Sequence, residues 1–207
     1  MLLNIPVLNK VMSVMAIKKF DVDVVLEQAI NTFWQYGYHG TSMQQLLQAT
    51  GLRPGSLYRE FESKEGLYLL ALSRYAAATI TTVNNRIQGS SSVIEGIKSI
   101  LVDLFEEAKA KDYCGCFLVK TQLELSAHNE SILSNVSEEF AKIEANYCAI
   151  LKTIFSPEIS LQYAKQLMLI IFGIRVYSYQ SEQPEDVEDF ILSILPWLKD
   201  DSNNNIK

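Results

Sequence analysis

The stretch Thr41–Lys64, TSMQQLLQATGLRPGSLYREFESK, decides how this chain reads. It predicts two short helices joined by a tight turn, then the start of a third. Thr41 is placed to cap the first helix, with Gln44 three residues on completing a capping box. Met43, Leu46 and Leu47 give that helix an apolar side. Ala49, Gly51 and Leu52 form a compact turn, because two helices crossing steeply must bring their backbones close. The second helix opens at Arg53-Pro54-Gly55, and proline suits a first helical turn, where its missing N–H is no loss. Leu57 and Phe61, four apart, face inward and leave Arg53, Ser56, Tyr58 and Arg59 outward. A helix-turn-helix with a polar, cationic second helix is the pattern of a major-groove reader.

Each residue of the stretch has a role to fill in such a reader. Thr41 and Ser42 sit at a helix N-terminus, where hydroxyls and backbone N–H groups bind phosphate. Gln45 is a further phosphate or base contact. Pro54 and Gly55 start the second helix, and a residue without Cβ lets the backbone approach a duplex closely. Arg53 and Ser56 lie near that helix's start, the end that reaches base edges, and arginine suits guanine O6 and N7. Lys64 falls in the first turn of the next helix, after Ser63 as N-cap, where the helix dipole disfavours a cation. A phosphate nearby would account for it. Glu60 would repel DNA; it is excluded from the site, and either pairs with Arg59 or Lys64 or limits affinity for the wrong sequence.

The run Gly51 to Leu67 follows G-x-x-x-[GS]-[ST]-L-Y-x-x-F-x-S-K-E-x-L, and Phe20-Asp21 and Phe33–Tyr38 precede it. On these residues the chain resembles the DNA-binding domain of the TetR/AcrR transcriptional regulators. Gly115-Cys116-Phe117-Leu118-Val119 and Gly173-Ile174-Arg175-Val176 are similar to effector-domain segments of an AcrR-like branch. The resemblance implies that Tyr58 gives its hydroxyl to a phosphate. It also implies a cytoplasmic, ligand-responsive regulator, a homodimer released from double-stranded operator DNA by an unidentified small molecule. In two places the chain departs from the family pattern. Arg53 stands where serine is frequent, and Glu60 where a neutral phosphate contact is common.

The 207 residues are 48% hydrophobic and 20% charged, an ordinary globular composition with enough apolar content for one or two small cores. The net charge of −6 is unevenly spread: residues 1–87 carry 8 Lys and Arg against 6 Asp and Glu, and the remainder 10 against 18. An N-terminal nucleic-acid binder with an acidic partner domain has this asymmetry. Three cysteines, Cys114, Cys116 and Cys148, are an odd number without a secretory signal, which points to a reducing compartment. No run is long enough to span a membrane. Met12 and Met15 lie just before the family resemblance begins, and translation is expected to start at one of them.

The predicted architecture is all-α. A helix-turn-helix domain covers 16–66, beginning with a helix capped by Asp21 and ended by Gly37, with Phe33, Trp34 and Tyr36 in its core. Lys18 and Lys19 are phosphate contacts ahead of it. A long helix over 64–87 links it to a helical effector-binding and dimerisation domain at 88–199, after a break at Gly89–Ser92. Helices are placed near 93–111, 115–127, 130–155, 159–180 and 185–199, and 1–15 and 200–207 are flexible tails. Phe105, Cys116, Phe117, Gln122, Tyr147 and Phe172 are the candidate effector-cavity residues. The last two helices carry more apolar surface than one stripe needs, so Ile171, Ile174, Phe190, Ile194 and Trp197 are assigned to a dimer interface.

Two other chemistries are weighed. Cys116 near a helix N-terminus, with Lys111 close in sequence, could favour a thiolate that reacts with oxidants or electrophiles. A cysteine enzyme with His128 as base lacks any orienting acid or oxyanion hole in the sequence. Cys114, Cys116, His128 and Cys148 do not recur at metal-ligand spacing, so neither a metal nor a cofactor is expected. An effector-binding protein that has lost DNA binding is the closer rival, motivated by Glu60 and the small positive excess.

Overall fold

A computed structural model describes residues 20–111, 113–125, 129–177 and 184–199. The expectations for Lys18, Lys19, His128 and both tails fall outside the described residues. The chain winds through α1 (Val22–Gly40), α2 (Met43–Thr50), α3 (Pro54–Phe61), α4 (Lys64–Gln88) and α5 (Val93–Glu107). It continues through α6 (Phe117–Leu125), α7 (Glu130–Leu151), α8 (Pro157–Tyr177), α9 (Val187–Ile194) and a 3-10 turn at Pro196–Lys199. No strand occurs among the described residues.

Side chains that satisfy the orphan N–H groups of the first turn set the helix starts. Asp21 accepts from Asp23 N–H, Ser63 from Gly66 N–H, Ser92 from Glu95 N–H and Asn129 from Ile132 N–H. The cap of α2 sits one residue later than the sequence suggests. Ser42, not Thr41, is the N-cap, and Gln45, not Gln44, closes the capping box. Thr41 turns inward, 1% exposed, and donates its hydroxyl to the Gly37 carbonyl at 2.6 Å. Gly37 has φ +75°, so α1 breaks there as predicted, but one more helical turn follows to Gly40.

One apolar core runs through the described chain. Phe33 of α1 packs edge-on against Tyr68 of α4 at 4.7 Å between ring centres, and Tyr68 against Phe117 of α6 at 5.4 Å. Tyr75 of α4 then meets Phe117 at 5.8 Å and Trp34 at 5.3 Å. This aromatic column joins the first three helices to the rest, which a break at Gly89–Ser92 alone would not suggest. Tyr36 is not part of it, being 49% exposed.

α8 is long and apolar enough to cross a membrane by composition, with mean hydropathy 1.2. That corrects the expectation that no run reaches such a length. Here α8 packs along α7 and buries Ala164, Leu167, Met168 and Ile174.

Candidate DNA interface and effector cavity

α3 is held from below and bare above. Leu57 and Phe61 are buried, while Arg53, Pro54, Gly55, Tyr58 and Arg59 are exposed and Ser56 half-buried. Arg53 is the N-cap in an extended backbone conformation, and its side chain makes no capping hydrogen bond. A Cβ on Gly55 would meet nothing within 4 Å, so the chain's own packing does not require glycine there. At the start of α2, Ser42 is exposed, and Gln45 is occupied by its cap, its Oε1 accepting from Ser42 N–H at 2.7 Å. The Met43 and Gln44 N–H groups, in the first turn, have no intrahelical acceptor. Thr41 drops out as a side-chain contact, because burial and the Gly37 carbonyl use its hydroxyl.

Lys64 stands at the junction of α1 and α4. Its Nζ lies 4.5 Å above the Tyr38 ring, a cation–π contact that helps hold a lysine at a helix N-terminus. Partial burial lowers its pKa and the Glu124 carboxylate partly offsets that. Glu124 comes from α6. Its two carboxylate oxygens accept the N–H groups of Tyr38 at 2.9 Å and His39 at 2.8 Å. Lys120, one turn earlier on α6, donates to the Trp34 carbonyl at 2.5 Å. α6 therefore grips the end of α1 that leads into α2.

A cavity of about 390 Å³ lies between α4, α5, α7 and α8. Tyr75, Thr79 and Arg86 line it from α4, and Asp103, Leu104 and Glu107 from α5. Phe140, Ile143 and Tyr147 reach it from α7, Met168, Ile171, Phe172 and Arg175 from α8, and Cys116 closes it beside α6. Of the predicted lining residues, Cys116, Tyr147 and Phe172 are there. Phe105 instead packs its ring against Phe190 at 6.1 Å, and Phe117 lies fully buried in the aromatic column. Gln122 does not reach the cavity either: it is half-buried on α6 beyond Thr121, whose hydroxyl bonds Tyr68. Arg175, Arg86, Asp103 and Glu107 were missed because charged residues on a helix read as solvent-facing. Only the spacing of Glu107 and Arg175 on two facing helices pairs them, at 2.6 Å.

The cysteines form no disulfide; Cys148 is buried and Cys116 half-buried. Among the described residues, no group of three or more His, Cys, Asp or Glu could hold a metal ion.

The assigned dimer residues divide. Phe190 and Ile194 are 40% and 42% exposed. Ile174 is buried at 6% and Ile171 faces the cavity, since both fall on the inner side of α8. Trp197 stacks on Tyr163 at 4.3 Å and donates to Gln166, which fixes it inside its own chain. The outer side of α8 presents Leu161, Leu169, Val176 and Tyr177, with Leu169 73% exposed.

Residues 25–71 match the family model of bacterial regulatory proteins of the tetR family. Along nearly its whole length the chain is also similar to a Bacillus subtilis relative, YezE, described as an uncharacterized HTH-type transcriptional regulator. The two are 28% identical over 192 residues, 86% of this chain and 97% of that one. The helix-turn-helix domain is that of the TetR family of transcriptional regulators. Another relative is the HTH-type transcriptional repressor ComR of Escherichia coli, 33% identical over 132 residues, 61% of each chain. Among solved structures, reduced E. coli NemR superposes with TM-score 0.71 at 21% identity, covering 83% of this chain and 93% of that one. A cysteine-substituted CifR, solved with a 26-base-pair operator, gives 0.68 at 24% identity, covering 88% and 97%. These two share the TetR-family fold; the helix-turn-helix match of residues 25–71 covers all of α2 and α3.

Proposed function

We propose that this chain is a homodimeric repressor of the TetR family that binds operator DNA through α2, α3 and the start of α4, and is released when a small molecule fills the cavity. The observation that carries this reading is the position of α6. It follows directly on Cys116, which lines the cavity, and eight residues beyond Cys116 it holds the α1–α2 corner through Glu124.

Arg53 and Ser56 read base edges in this scheme. Ser42, Gln45, Tyr58, Arg59 and Lys64 contact phosphates, and Pro54 and Gly55 let α3 sit close to the duplex. Occupancy of the cavity separates α4 from α7 and α8. That moves α6, and the spacing of the two recognition helices in the dimer departs from the roughly 34–36 Å of successive half-sites. Residues 16–66 act as the DNA-binding unit and 88–199 as the effector and dimerisation unit, coupled by α4 and α6. The exposed faces of α8 and α9, with Leu169, Val176, Phe190 and Ile194, pair with the same faces of a second copy. DNA as the partner places the chain in the cytoplasm, where it acts by binding rather than by catalysis.

Fluorescence anisotropy on labelled DNA from upstream of its own gene, at two salt concentrations and against a scrambled duplex, tests the reading. Tight, salt-sensitive binding that prefers the upstream DNA supports it. Equal weak binding to both duplexes favours an effector-binding protein without an operator.

A further inference from the structure

The cavity contains four formal charges, and all are matched. Arg175 pairs with Glu107, and Arg86 with Asp103. The rest of the wall is apolar or aromatic apart from a few phenol, hydroxyl and thiol groups. Two donors stand out at the Arg175 end. The Tyr147 side chain is 3% exposed, and its hydroxyl joins no hydrogen bond with another described residue, although the Arg175 guanidinium is close enough to act on it electrostatically. Arg175 gives one N–H to Glu107 and also has the Tyr113 side chain beside it, and a guanidinium has five N–H to give. Burial holds the Tyr147 phenol well above its ordinary pKa, so it is a donor at any physiological pH.

We propose that the effector is an uncharged, largely apolar molecule ending in a carbonyl-type oxygen, which accepts from Tyr147 Oη and Arg175. The inference rests on the reading of this cavity as the effector site. A neutral acceptor gives the Tyr147 hydroxyl, which bonds no other described residue, a partner inside the cavity. An incoming carboxylate would have to share Arg175 with Glu107, leaving two anions on one half-buried cation. A hydrocarbon without oxygen would offer Tyr147 no acceptor.

Calorimetric titration of the full chain with matched probes tests the class. Three bodies are used, naphthalene, biphenyl and a linear decyl chain, each ending in a methyl ketone, a carboxylate or an alkyl group. At least one ketone is expected to bind about tenfold or more tighter than its carboxylate partner. Tyr147→Phe should weaken that ketone about three- to tenfold and leave the alkyl probe unchanged. Glu107→Gln, at a half-exposed position, should raise the affinity of the carboxylate. A carboxylate preference in the wild type, or a ketone affinity indifferent to Tyr147→Phe, would overturn the proposal. So would the failure of all nine probes to bind. The readout is binding without DNA, so it fails separately from the operator assay: sequence-preferring DNA binding with no ketone preference rejects only the ligand class.

Discussion

A Cβ on Gly37 would sit 2.6 Å from the Glu124 carboxylate oxygen that accepts the Tyr38 N–H, so glycine at 37 and the carboxylate from α6 occupy one site together. The break in α1 opens two backbone N–H groups, and an acid 87 positions further along the chain closes them. Gly37→Ala would meet both that overlap and a φ of +75°. We expect it to destabilise the chain by at least ~1 kcal/mol, read by urea unfolding. An unchanged midpoint would mean that the corner relaxes without loss.

Glu124→Ala leaves the two N–H groups without their acceptor and removes the acid facing Lys64. Operator affinity in the absence of effector should change, and the response to any effector should shrink, because α6 no longer holds the corner. Anisotropy with and without ligand measures both. A full response in the variant would remove α6 from the coupling.

Gly55 separates stability from binding. Alanine there meets open space, so the helix gains up to ~1 kcal/mol while the backbone's approach to DNA is blocked. A raised melting temperature together with weaker operator binding is the expected pair of results. Unimpaired binding would mean that α3 does not approach the duplex at this residue. Gly66 is the contrast: a Cβ there would overlap the Phe61 carbonyl oxygen, so Gly66→Ala should lower the melting temperature.

Lys64→Gln keeps much of the side chain over Tyr38 and removes the charge. Binding should weaken for operator and scrambled DNA alike, with the salt slope reduced by about one. Arg53→Ala should instead relax sequence preference, with a loss of about 1–3 kcal/mol on the operator. If both variants lose affinity by the same factor on every sequence, Arg53 is a phosphate contact.

Tyr68, Tyr75 and Tyr147 are among the tyrosines whose phenols burial raises above the ordinary value of 10.0. Above that pH the folded chain keeps protons that the unfolded chain releases, so the folded state binds more of them. Stability from these groups is therefore complete below pH 10 and falls as the pH rises beyond it. Spectrophotometric titration should show these phenols ionising only with unfolding. Tyr68→Phe should flatten the decline in stability, and an unaltered slope would contradict it.

The outer face of α8 gives a further test. Leu169→Glu, at a position 73% exposed, should yield monomers in sedimentation with an intact fold. Trp197→Ala should destabilise the monomer instead, because its ring stacks on Tyr163 and its N–H is bonded to Gln166.

Local rules, and what escapes them, account for how legible this chain is. The helix-turn-helix was readable because its signals lie within a few residues of one another: Pro54 opening α3, Leu57 and Phe61 four apart, Ser63 capping α4, Gly51 at φ +65°. The same proximity left the cap of α2 ambiguous, since Thr41 and Ser42 are both good caps and only the demand of the Gly37 carbonyl separates them. Phe105, Phe117 and Tyr147 look alike as apolar members of a helix, and which of them borders a void depends on how four helices cross. Charged cavity residues were invisible for the opposite reason: each reads as surface until its partner on the facing helix is known.

The sequence by itself determined the helical class, the order of the helices and the polar face of α3, because propensity, capping and 3.6-residue periodicity act over short stretches of chain. Only the tertiary structure decided that Glu124 closes the end of α1, that Glu107 meets Arg175, and which side of α8 is bare. Each of these depends on the relative position of residues far apart in sequence. That position is set by how whole helices pack, which no local pattern records.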